Sequence, residues 1–221
     1  SLHDALPIYG EDKEIARIRR AQGLPEVSDS EILSGAFKGR GGINEEATGR
    51  SMAFFQGKGW TKEQAAGISA NLGLESNFNP AAVGDSGRAY GAAQWHESRQ
   101  QQFAKWAGKP MQGSSLDEQL GFVHYELTQG QEQGAGDLLR RAKSAREAGD
   151  IVSRKYERPA DADGDAAKRA AVAEVIANRG PAPSPAPAGP YSQGAAQQNG
   201  GSVKVEIEHK NAPEGLKTKV K

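Results

Sequence analysis

A chain of 221 residues with 36% hydrophobic side chains can bury the core of one ordinary domain of roughly 100 to 150 residues with extensions, and two full domains would strain it. Lys plus Arg and Asp plus Glu both number 28, so no net field argues for nucleic acid or an anionic membrane as partner. With no cysteine and four scattered histidines there is no disulfide, no metal-ligand pattern and no expected cofactor, and no run approaches the ~18 apolar residues of a membrane span.

Residues 1–8 contain LHDALPI, which resembles the translation of a widely used sequencing adapter. They are set apart from fold reasoning as a cloning scar is, and the chain is expected to be a fragment of a longer protein. Nothing in it resembles a secretory signal. Over 11–21, EDKEIARIRRA spaces Ile15 and Ile18 three apart and predicts a short helix with little apolar surface. Residues 28–44 begin with polar caps and end in FKGRGGIN, whose glycines break any helix, so 9–49 read as a partly helical connector.

From Trp60 the texture changes. Thr61 with Gln64 three residues on is a capping-box pattern, and KEQAAGISANLGLES puts Ala65, Ile68 and Leu72 on one helical stripe. Pro80 cannot sit inside that helix, so it ends by Asn77 or Phe78. Glu75 then lies in the last turn, where the helix dipole disfavours negative charge. The stretch NPAAVGDSGRAYGAAQW, glycine-rich from Gly84, reads as loops around a small hairpin. Helical patterns return at 97–107, with Phe103 and Trp106, and at 115–128, where Ser115 and Glu118 repeat the capping box and Leu116, Leu120, Val123 and Leu127 form the buried stripe. Two more helices are predicted at 137–143 and 144–156, the second opened by Ser144 and Glu147 and closed by Arg158 and Pro159.

The fold class expected for 50–160 is therefore mainly α with a small β-hairpin (α+β). A separate Ala-rich helix is expected within 161–180, followed by a Pro/Ala/Gly/Gln linker over 181–201. In 202–221, Val203, Val205 and Ile207, then Leu216, Thr218 and Val220, alternate about the turn NAPEG and predict a β-hairpin. Being marginal alone, it is expected to pair with another chain or with a missing part of its own.

Glu75 has Leu72, Leu74 and Phe78 as apolar neighbours, and desolvation raises a carboxyl pKa. A solvated helix-end glutamate fits the same local pattern. The run GISANLGLESNFNP followed by AVGDSGRAYGAAQW, with Glu-Ser at a helix end, an Asn-Pro turn and Gly-x-x-Gln-Trp, resembles the phage tail lysozyme family. The resemblance covers 52–159, including the closing Tyr156, Glu157, Arg158 and Pro159. The same Glu-Ser and Gly-x-x-Gln skeleton is similar to that of the soluble lytic transglycosylases.

The resemblance implies a lysozyme-like domain in which Glu75 is the general acid, Ser76 a hydrogen-bonding neighbour, and Gln94 and Trp95 line a sugar cleft. Physically, Gln offers donors and an acceptor to hydroxyl and N-acetyl groups, and an indole gives a sugar face a flat partner. Asp85, ten residues on in a Gly-flanked loop, is the best second carboxylate, although Gly84-Asp85-Ser86-Gly87 is equally a good turn. Tyr90 either contacts sugar or packs the hairpin. Glu97, Glu126 and Glu157 fall in or near predicted helices, where solvated or salt-bridged faces are the ordinary explanation. Arg99 reads as structural and His96 as a satisfied polar residue.

The activity implied is cleavage of the MurNAc–GlcNAc β-1,4 bond of bacterial peptidoglycan. The tail HKNAPEGLKTKVK resembles the end of some phage tape-measure proteins. That implies a virion tail component aiding DNA entry, with glycan strands and other tail subunits as partners and no nucleic acid. Two alternatives stay open at this point, a lytic transglycosylase giving anhydro-muramyl products and a non-catalytic glycan-binding or structural tail module.

Overall fold

The computed structural model describes residues 27–179. The adapter-like start, the helix expected over 11–21, the linker and the C-terminal hairpin lie outside the described residues. In chain order the elements are α1 (Asp29–Ala36), α2 (Glu45–Gly57), α3 (Lys62–Ser76), β1 (Val83–Gly84), β2 (Ala89–Tyr90), α4 (Glu97–Ala107), α5 (Leu116–Thr128), α6 (Gln133–Leu139), α7 (Ala145–Ile151) and α8 (Ala162–Asn178). A π-helical stretch, Val152–Glu157, continues α7. The fold is mainly α with a small two-stranded antiparallel hairpin, as the residue patterns predict.

Local chemistry sets most helix starts. Ser28, Thr61 and Ser115 each accept from the backbone N–H three residues on, and Glu31, Gln64 and Glu118 reciprocate as full capping boxes. Asn44, Ser144 and Asp161 cap α2, α7 and α8 with their side chains. The pattern over 45–57 did not predict α2, because half of its buried residues are polar: Thr48 and Ser51 face inward with Ala47 and Phe55, and Ser51 shares a 2.8 Å hydrogen bond with Ser69. Helix α6 starts at Gln133, earlier than the expected 137, with Gly136 lying against the Leu127 backbone where a side chain would collide.

Helix α3 lies between two cores. One contains Ile68, Leu72, Trp95, Phe103, Phe122 and Tyr156; the other contains Leu33, Phe37, Leu74, Val172 and Ile176. Eleven of its fifteen residues are consequently buried, well beyond one amphipathic stripe. Its small residues allow that enclosure. A Cβ on Gly67 would stand 2.6 Å from the Ala148 backbone, and one on Gly149 would stand 2.8 Å from the Arg169 carbonyl, so α3, α7 and α8 approach nearly backbone to backbone. The Ala/Val-rich helix expected to follow the domain packs into it as α8, on α1, α3 and α7.

Gly67→Ala is therefore expected to lose ~1–3 kcal/mol of stability through overpacking, despite the better helix propensity of Ala. Gly57→Ala, at a helix end with open space around it, is expected to be neutral or slightly stabilising. Urea unfolding midpoints of the two variants check the difference.

Candidate active site

The end of α3 is held from three sides. Asn77 adopts a left-handed conformation (φ 54°) and stops the helix, while its side-chain amide donates to the Gly42 carbonyl and accepts from the Asn44 N–H. Arg40 donates to the Leu74 carbonyl at 2.5 Å, satisfying one of the carbonyls the helix leaves unpaired. Glu75 thus leaves a fixed helix end, in the last turn as its spacing predicts. Its Oε1 meets Nη2 of Arg169, from α8, at 2.6 Å. Arg169 in turn donates to Oδ1 of the buried Asn71, whose amide donates to the Gly67 and Gly149 carbonyls. One polar chain therefore links α3, α7 and α8 to Glu75.

The opposite wall is the hairpin, in which Val83 pairs with Tyr90 and Gly84 with Ala89. Its tip carries Asp85, in a left-handed conformation (φ 46°), paired to Arg88 at 2.9 Å and to His96 at 3.8 Å. Gln94 (φ 49°) folds its amide back to donate to the Gly91 carbonyl at 2.8 Å and the Ala82 carbonyl at 3.4 Å, which ties the loop together.

Glu75, Asp85 and Gln94 line one open polar cleft of about 640 Å³, together with Arg99, Glu157 and Arg169. A second cavity of about 200 Å³, between α2 and α8, is mainly apolar, and its two charged residues, Glu45 and Arg179, pair with each other at 2.5 Å. The larger cleft is the one that assembles reactive groups. The other three residues expected at the site stand behind its wall. Ser76 donates to the Ala92 carbonyl at 2.8 Å, and Tyr90 packs on the core. Trp95, expected to present its indole to sugar, is fully buried against Phe122, because its N–H finds an acceptor in Glu126 at 2.9 Å.

Glu126, expected on a solvated or salt-bridged face, is 1% exposed and accepts from Trp95, from both arms of Arg99 and from Tyr156. Burial opposes the Arg99 charge, but Tyr156, Glu126 and Glu157 outweigh it and hold the guanidinium above its ordinary pKa. Arg169 was not anticipated; an arginine inside an otherwise Ala/Val-rich helical run was its only sequence signal. Glu157 lies at the cleft with its Oε1 buried and unpartnered. Burial, then the nearby Glu75 carboxylate, push it up to about 8, against the pull of Arg99 and Arg169. Among the described residues, no group of His, Asp and Glu is placed to hold a metal ion, and no helix is long and apolar enough to cross a membrane.

A helical domain with a glutamate at the end of its central helix, facing a small hairpin across an open polar cleft, is a lysozyme-like architecture. Residues 46–179 match the phage tail lysozyme family, and the chain belongs to it. Membership gives it a lysozyme-like role on peptidoglycan and an association with phage. Comparison with curated proteins found no match.

The Glu157 environment has a measurable consequence. In the unfolded chain this carboxyl loses its proton near 4.5, while in the fold it keeps it to about 8. Between those values the folded state holds the extra proton, so this group makes stability fall as pH rises from about 4.5 to 8 and contributes no slope outside that window. Thermal melting at pH 5 and pH 8 is expected to show a larger loss for wild type than for Glu157→Gln, whose side chain does not titrate.

Proposed function

We propose that the domain is a muramidase, cleaving the β-1,4 bond between MurNAc and GlcNAc with Glu75 as general acid. The observation that carries this reading is the seating of Glu75 at a polar cleft with Arg169 at 2.6 Å. Proton transfer from Glu75 to the leaving oxygen ends in a carboxylate, and a guanidinium fixed at that distance stabilises the charge as it forms. Asp85, from the hairpin wall, is the second carboxylate and serves as nucleophile or activates water. Gln94, whose amide donors are engaged by the loop, meets sugar hydroxyls with its carbonyl oxygen. The setting is the phage tail, where opening the wall lets DNA enter the host.

A lytic transglycosylase is the second reading. The hold of Arg88 on Asp85 at 2.9 Å favours it, because a route through the substrate's own hydroxyl needs no free second carboxylate.

Glu75→Gln is expected to fold normally and to lose at least ~10²-fold in the clearing of purified cell walls, since Gln keeps the shape without the transferable proton. Activity within about twofold of wild type rejects the assignment. Digestion in ¹⁸O-water separates the two readings by mass. Labelled reducing ends, with a rate much reduced in Asp85→Asn, are expected for hydrolysis. Unlabelled anhydro-muramyl ends reject it, and an undiminished rate in Asp85→Asn removes that residue's role.

A further inference from the structure

Glu157 ends the π-helical stretch at the cleft that holds Glu75, and the chemistry proposed above leaves it unused. Its Oε1 is buried with no hydrogen-bond partner, while the residue as a whole is partly exposed. Such an orphan is costly in a neutral carboxyl and costlier in a carboxylate. The cations nearby are engaged elsewhere: Arg99 by Glu126, Arg158 by Glu132 at 2.8 Å, and Arg169 by Glu75. Glu75 from α3 and Glu126 from α5 face Glu157 with like charge, and the Tyr156 hydroxyl donates to Glu126. Asp85 and His96 from the hairpin side, and Asp165 paired to Lys168, complete the titratable groups of the cleft. A second polar atom is also unanswered, since Nε of the cleft-lining Arg169 is buried without a partner.

The buried, unanswered Oε1 and the acidic neighbours favour a proton on Glu157, and the partly exposed remainder of its carboxyl is what a ligand rich in hydroxyls and amides meets in the cleft. We infer that Glu157 is a substrate-binding residue which, as a neutral carboxylic acid, donates a hydrogen bond to an oxygen of the bound amino sugar beside Glu75. This rests on the proposed glycan-cleaving function. A proton on the carboxyl removes the conflict with its acidic neighbours and turns the group into a donor, which a carboxylate is not. Deprotonation near 8 reverses both effects.

Binding is best read without turnover in the protein that keeps Glu75, by calorimetry with a non-hydrolysable, sulfur-linked GlcNAc–MurNAc tetrasaccharide at pH 6 and pH 9. In that background Glu157→Ala is expected to weaken binding at least ~10-fold at pH 6, whereas Glu157→Gln, which keeps a donor, holds it within about threefold. Raising the pH to 9 is expected to cost at least ~10-fold with Glu157 present and much less with Gln, which isolates this group from the rest of the cleft. Equal affinity of the Ala variant and its parent at pH 6 overturns the inference, as does an equal loss in the Gln and Ala variants or no tetrasaccharide binding at all. Cleavage by wild type is scored separately, so products formed without any dependence of affinity on Glu157 leave the proposed function standing and remove only this role.

Discussion

A single buried carboxylate organises the domain. Glu126 takes four hydrogen bonds of 2.6 to 2.9 Å, from the indole of Trp95, the two arms of Arg99 and the hydroxyl of Tyr156. A charge taken out of water costs several kcal/mol unless every lone pair is answered, so none of these partners can move independently. They arrive from the segment after the hairpin, from α4 and from the π-helical stretch, and α5 supplies the carboxylate. Arg99 and Glu157, the residue after Tyr156, then stand in the cleft wall because their neighbours are pinned. The aromatic cluster of Trp95, Phe103 and Phe122 packs around the pair and keeps water from it.

The second strut runs from Asn71 through Arg169 to Glu75. It depends on close helix approach, because Asn71 reaches the carbonyls of both Gly67 and Gly149 only where α3 and α7 carry no bulk between them. The cleft also gathers the backbone strain. Among the described residues, the non-glycine positions with positive φ are Asn77, Phe78, Asp85, Ser86, Gln94 and Arg158, and each lies at the end of α3, in the hairpin region or at the end of the π-helical stretch. Such conformations cost of order 1–3 kcal/mol each and persist where surrounding packing over-determines them.

Two glutamates of the cleft illustrate how environment divides like groups into different roles. Glu75 meets a guanidinium, whereas Glu157 meets burial and negative neighbours. The same side chain is thereby positioned by a cation in one place and left to burial and like charge in the other. Neither role can be assigned from the residue type, since the partners come from helices that enter the chain far apart.

What the sequence by itself determined is what depends on bonds within three or four residues. Capping residues mark the starts of α1, α3, α5 and α7, glycines and Pro80 mark stops, and the period of apolar residues shows α4, α5 and the last turn of α3 that carries Glu75. The motif around Glu75 also points to the family. Tertiary structure decided the rest. Helix α2 was hidden because polar residues take half its buried face, and Trp95 went inward because its indole found Glu126, 31 residues away. Arg169 reaches Asn71 across 98 residues, and no local pattern encodes a partner at that separation. Burial and pairing of charges are properties of the assembled interior, so the chemistry of the cleft becomes legible only once the helices are packed.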